Sequence, residues 1–182
     1  MIGLGLTSCQ DTVSDLVMSS PPLFAPIDPH TYRQVCSQFA TGVAVATVRA
    51  TDGTPHGLTV SSFTPVSIEP PLILICIDLR STTVNHFIAC AFFAINVLAA
   101  AQRELSVTFA ANPEGRFEGL EWNPGPTGSP IFPGALAMIE CRLDRLMEAG
   151  DHVVLFGEIV HAQAHVSGNP LVYFDRTYRT LQ

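Results

Sequence analysis

Lysine is absent from this chain: its nine basic residues are all arginine, set against sixteen Asp and Glu, for a formal net charge of −7. That balance argues against nucleic acid or an anionic membrane as a partner. It also means that any charged side chain bound to a phosphate must be an arginine. Charge of either sign is scarce, at 14% of 182 residues, while apolar residues make up 47%. A monomer of this size rarely exposes so little charge, so the composition predicts a buried oligomer interface. Long apolar runs are missing too: each is broken by Pro, Asp or Ser well short of the roughly 18 residues a spanning helix needs. The five cysteines (Cys9, Cys36, Cys76, Cys90, Cys141) are odd in number and lack metal-like spacing. Cys76 and Cys141 fall inside apolar strand patterns, where a thiol packs as a small hydrophobe, and a reducing, cytoplasmic setting is expected. No Gly-x-Gly-x-x-Gly follows a strand, which excludes a Rossmann nicotinamide site, and there is no nucleophile elbow or Ser-His-Asp order.

Residues 1–26 read as a mobile N-terminal arm. They carry Asp11 and Asp15 and no basic run, so they make a poor secretory signal, and Met18 offers an alternative start. Residues 27–182 are long enough for one domain with a sizeable core. Asp28-Pro29 is a capped helix start, with the helix expected over Thr31 to Phe39. Strands are expected over Gly42 to Arg49 and His56 to Phe63, joined by a hairpin at Asp52-Gly53. Leu72 to Ile77 is nearly all aliphatic and predicts a strand buried on both faces. Further strands are expected at Phe92 to Leu98, 134–147, 151–166 and near Val172, with a short helix over Gln102 to Phe109. Between them, Asn112 to Pro133 is a Gly/Pro-rich connection of the length that is usually functional or mobile. Many short strands, few helices and no βαβ alternation predict a mainly β barrel with helices packed outside.

The densest chemistry lies from Gly57 to Thr83, where two strand-like runs carry many hydroxyls and the second empties into Arg80-Ser81-Thr82-Thr83. A helix is expected over Thr82 to Cys90 with Ser81 as N-cap, and the free N–H groups of a helix start suit an anion. Arg80 adds forked donors fit for phosphate. The same four residues also make an ordinary cap with no ligand. The run His161 to His165 alternates as a strand, which places His161 and His165 about 13 Å apart, too far to share one metal ion; no metal site is expected.

These segments resemble the flavin reductase-like family, the small reductase components of two-component flavin monooxygenases. The matching stretches are Phe39 to Thr47, Gly57 to Phe63, Pro70 to Leu72, Arg80 to Thr83, Phe93 to Leu98, Gln102 to Leu105, Phe109-Ala110, Arg116 to Gly119, Gly134 to Ala137, Gly150 to His152 and Pro170 to Tyr173. Each is short, but their collinear order from Pro29 to Leu181 is specific. The resemblance implies a split β-barrel and a homodimer with flavin sites at the subunit boundary. It further implies that Thr59, Val60, Ser61 and Ser62 line the flavin and that Arg80, Ser81 and Thr83 hold its phosphate. Phe109 and Ala110 would lie near the phosphate or adenine end, with Arg116 close by, and His152 would place the nicotinamide. The implied activity is hydride transfer from NADH or NADPH to FMN, with FAD as the alternative flavin, and delivery of reduced flavin to a separate monooxygenase. Two other readings stay open on the same scaffold: a non-catalytic flavin- or haem-binding electron carrier, and an FMN oxidase acting on its own substrate.

Overall fold

The structure, a computed structural model, describes residues 24–111, 115–165 and 168–181. The chain divides after Cys36 into two units. In the first, α1 (Pro29–Cys36) starts where expected and ends three residues before Phe39. The Asp28 carboxylate accepts from the His30 and Thr31 N–H groups at 2.9 and 3.1 Å, filling the cap role. The expected arm, 1–26, lies outside the described residues except for 24–26, which have no regular structure.

The second unit begins with β1 (Thr41–Gly42), β2 (Ala44–Arg49), β3 (Pro55–Val60), β4 (Thr64–Ile68) and β5 (Pro71–Asp78). Helix α2 (Val84–Ile88), β6 (Phe92–Val97) and α3 (Arg103–Ala110) follow, the last entered through a 3-10 turn at Ala100–Gln102. Then come β7 (Asn123–Pro124), β8 (Pro130–Ile131), β9 (Ala137–Ala149), β10 (His152–Ala164), β11 (Val172–Phe174) and β12 (Thr177–Arg179). Seven strands form one antiparallel sheet in the order β3-β2-β6-β9-β10-β5-β4, and β1-β11-β12 forms a smaller one. No ladder joins β3 to β4 among the described residues, so the mainly β split-barrel fold is realised with its sheet open. The β2–β3 hairpin turns where expected: Gly53 has φ +88°, and its N–H donates to the Ala50 carbonyl at 2.9 Å.

Alternation along β2 decides where the core lies. Ala44, Ala46 and Val48 enter the barrel interior with Ile73, Ile75, Ile77, Phe87, Phe93 and Leu155. Val43 and Val45 point the other way, into a second cluster with Leu98, Phe109, Phe132 and Leu171. Thus β2, covered by α3 and the long connection, is buried on both faces, as is its neighbour β6. The expectation for Leu72 to Ile77 is corrected: Ile73, Ile75 and Ile77 are buried, while Leu72, Leu74 and Cys76 are only half-buried, because no helix among the described residues packs extensively on β5. Strand β4 is not expected from the sequence; its Pro65, which a central strand would not tolerate, is accommodated because β4 is an edge.

Two further expectations change. Helix α2 spans only Val84–Ile88, with Thr83 at its N-cap and no side-chain capping bond, instead of Thr82 to Cys90 capped by Ser81. Ser81 is taken up by the preceding turn: its N–H donates to the Asp78 carbonyl at 2.9 Å, and its carbonyl accepts from Val84 at 3.2 Å. The long connection, from Gly115 onward, is pinned to the sheet. Buried Asn96 donates to the Val45 and Pro130 carbonyls, each at 3.3 Å, and accepts from the Phe132 N–H at 2.8 Å. Thr47 donates to the same Pro130 carbonyl at 2.6 Å. Fully buried Glu140 accepts from the Thr127 N–H at 2.9 Å and from its hydroxyl.

Candidate functional site

The end of β3 carries four of the expected residues, and the structure gives them different tasks. Thr59 donates its hydroxyl to the Ser106 carbonyl at 2.7 Å, which ties β3 to α3. Val60 packs in the barrel core and can offer a ligand only its backbone. Ser62 donates to the Cys76 carbonyl at 3.2 Å and accepts from the Cys76 N–H at 2.9 Å, which ties the same segment to β5. The exposed Ser61 hydroxyl has no hydrogen-bond partner among the described residues. It lines two clefts at once. One, of about 420 Å³, is walled by Phe39, Gly42, Val43, Phe63 and Val97. The other, of about 160 Å³, is walled by Thr59, Ser106, Ala110, Tyr173 and Tyr178.

A second group gathers at the end of β5. His152 on β10 is the register partner of Asp78, so the β5–β10 ladder alone brings His152 beside the Arg80 segment. Arg80 grips Asp78 through Nε at 3.1 Å and Nη2 at 2.7 Å, and its backbone N–H adds a third bond at 2.8 Å. Those bonds hold the Asp78 carboxyl well below the usual carboxylate range and raise the Arg80 guanidinium in turn. The Ser81 and Thr83 hydroxyls lie 3.0 Å apart, close enough for one anionic oxygen to accept from both. His152 is 41% exposed, and its Nδ1 meets the Asp151 carboxylate at 2.7 Å, a bond that lowers the Asp151 carboxyl. The Ser62–Cys76 bonds connect the two groups, since Cys76 lies on the same strand as Asp78.

Three expected residues occupy other surroundings. Phe109 is fully buried, with its ring against Phe117 and Phe132 at centroid distances of 5.0 and 5.3 Å. It also fills the space over Gly57, where an added Cβ would lie 2.8 Å from the ring and 2.9 Å from the Ala46 carbonyl. Ala110 is exposed and lines the smaller cleft. Arg116 donates to the Gly57 and Ala111 carbonyls, each at 2.5 Å, and burial lowers its guanidinium. It clamps the end of α3 to β3.

Tyr173, Tyr178 and Ser106 are missed by the sequence reading. The Tyr178 and Ser106 hydroxyls lie 2.8 Å apart, and Tyr173 meets Tyr178 edge to face at 5.3 Å. The β11–β12 hairpin places both rings opposite β3; its Tyr173 to Tyr178 spacing is the one signal the sequence held, and it says nothing of α3. An isoalloxazine needs an apolar slot beside free polar groups, and a flavin phosphate needs convergent hydroxyl or cationic donors. The slot beside Ser61 meets the first requirement; for the second, the Ser81 and Thr83 hydroxyls lie together, with Thr83 buried and each hydroxyl bonded to the other.

A family model described as flavin reductase like domain matches residues 36–182. A probable flavin reductase of Rhizobium meliloti is 42% identical over 132 residues, 72% of this chain, and the chain spans 42% of that protein's length. The reductase subunit HsaB of a Mycobacterium tuberculosis flavin-dependent monooxygenase is 36% identical over 160 residues, covering 87% of this chain and 85% of HsaB. The solved NADH:FAD oxidoreductase SgcE6 of Streptomyces globisporus, in complex with NAD and FAD fragments, superposes with a TM-score of 0.81 at 33% identity, covering 87% of this chain and 98% of SgcE6. By this match over its second unit, the chain belongs to the flavin reductase-like family.

Proposed function

We propose that this protein is an NAD(P)H:flavin oxidoreductase that takes FMN or FAD and supplies the reduced flavin to a separate flavin-dependent monooxygenase. The observation that carries the reading is Ser61, a partnerless hydroxyl shared by two clefts on a strand end braced to both α3 and β5. A bound flavin accepts a hydride at its ring and so supplies the redox step. The chain's contribution is placement. Ser61 and the neighbouring backbone meet the ring's polar edge, with Thr59 and Ser62 keeping that edge rigid. Ser81, Thr83 and Arg80 receive the phosphate, and Arg80 turns from Asp78 to do so. Ala110 lies towards the phosphate or adenine end, while Phe109 and Arg116 act through the packing of α3. His152, half-exposed at the neighbouring strand end, orients the nicotinamide, and hydride transfer needs only the two rings at near-contact.

The uncovered apolar face of β5 supports a homodimer. Free thiols at Cys36, Cys76, Cys90 and Cys141 suit a reducing cytoplasm. No helix among the described residues is long and apolar enough to cross a membrane. The test is oxidation of NADH and NADPH by the purified protein with FMN, FAD and riboflavin in turn. Flavin-dependent turnover is expected. A chain that holds flavin or haem without oxidising either nucleotide is a carrier, and one that consumes dioxygen with its own organic substrate is an oxidase.

A further inference from the structure

A third cleft, of about 370 Å³, shares Tyr178 as a wall with the smaller Ser61 cleft. Its walls are Ala100, Arg103, Leu171, Tyr178, Arg179 and Thr180. Arg103 stands over the Tyr178 ring with its guanidinium carbon 5.3 Å from the centroid, which holds that cation against the shared aromatic wall. In a chain with net charge −7, neither Arg103 nor Arg179 has a carboxylate partner among the described residues. The ion pairs among the described residues are Arg80–Asp78, Arg142–Glu158, Arg145–Asp144 and His152–Asp151, and Glu104, next to Arg103 in sequence, joins none. Two unpaired guanidiniums and a threonine hydroxyl beside an aromatic ring match the chemistry of a nucleotide's phosphates and sugar. The cleft volume is within the range of small-molecule sites.

We propose that this cleft binds the nucleoside-diphosphate half of a dinucleotide, with Arg103 and Arg179 on the phosphates. The inference rests on the flavin reductase reading, because Tyr178 is the shared wall that joins this cleft to the one beside Thr59 and Ser61. Two dinucleotides carry that half: the nicotinamide donor and FAD. Either one enters as a single ligand that reaches across Tyr178 from the ring site to the arginines.

The probe is ADP-ribose, titrated by calorimetry into the flavin-free full-length protein, wild type and Arg103→Gln/Arg179→Gln. Arg179→Gln alone serves as a second variant, because it leaves the Arg103–Tyr178 contact in place. Loss of at least about tenfold in ADP-ribose affinity in the double variant, and a smaller loss in the single one, is expected. Unchanged ADP-ribose affinity in both variants would overturn the proposal. FMN and FAD titrations and the NAD(P)H KM with FMN as acceptor identify the source. FAD weakened with FMN unchanged assigns the cleft to the flavin's adenylate. A raised NAD(P)H KM with FMN affinity unchanged assigns it to the donor. An equal loss for FMN and ADP-ribose overturns it, because FMN has no such half. If ADP-ribose binding depends on the arginines but no NAD(P)H is oxidised with any flavin, the cleft stands and the reductase reading fails.

Discussion

Asp78 accepts from Arg80 and sits across the ladder from His152, so one strand position brings both side chains to the end of β5. Arg80 is 80% exposed on its side chain, and a phosphate must compete with Asp78 for it. The effect of Arg80→Ala on FMN affinity is therefore expected to be about tenfold, with riboflavin, which lacks the phosphate, changed far less. Fluorescence titration with both flavins checks this, and equal losses would remove Arg80 from the phosphate site. His152→Ala is expected to slow hydride transfer or raise the KM for NAD(P)H, with FMN affinity changed by less than about tenfold. Stopped-flow traces at several NADH concentrations separate the cases; a loss confined to FMN binding would make His152 a flavin contact.

At the scale of elements, the seating of α3 on β3 shapes the smaller Ser61 cleft, and it depends on the missing side chain at position 57. In Gly57→Ala the new methyl meets the Phe109 ring and the Ala46 carbonyl, so a loss of about 1–3 kcal/mol is expected in a denaturant titration. A change within a few tenths of that scale would mean that α3 can shift freely. Helix α2 meets β3 through a stacked pair: the His56 and His86 rings lie 3.5 Å apart at 10°. Burial first, then His86, lowers the His56 pKa from its ordinary value of 6.5, against an opposing pull from Asp52. The unfolded chain then binds a proton that the folded one resists. His56 therefore contributes its full stability above about pH 6.5, and that contribution is lost as pH falls through the lowered folded value. Melting temperature should drop between pH 7.5 and 5.5, and His56→Asn should flatten that part of the profile; an unaltered slope would place the titration elsewhere.

For the molecule as a whole, the face of β4 and β5 is the feature without a covering element. Leu72 and Leu74, paired with Ser67 and Thr64 of β4, are half-buried there with Cys76, while Ile68, the partner of Pro71, leaves the other face of the same edge 94% exposed. So much apolar surface on a charge-poor chain is expected to be covered by a second copy. Light scattering should report a mass near twice the 19.6 kDa of the chain, and a stable monomer that reduces flavin at full rate would count against the shared site.

The sequence by itself determined the elements whose signals are local. The Asp52-Gly53 turn, the Asp28 cap and the apolar runs of β5, β6 and β10 were legible because backbone preference and alternation are properties of neighbouring residues. The candidate list, Thr59 to Ser62, Arg80 to Thr83 and His152, rests instead on the resemblance of those segments to the family. Only the tertiary structure decided which strands are buried twice, because that depends on where α3 and the connection after Gly115 come to rest. It gave Ser81 to a turn rather than to a cap, as the Asp78 and Val84 backbone groups claim it. It buried Phe109 and spent Arg116 on carbonyls, while Tyr173 and Tyr178 arrived at β3 from more than 100 residues away along the chain. Contacts between residues so distant follow from packing and loop closure, to which no local pattern of residue types corresponds.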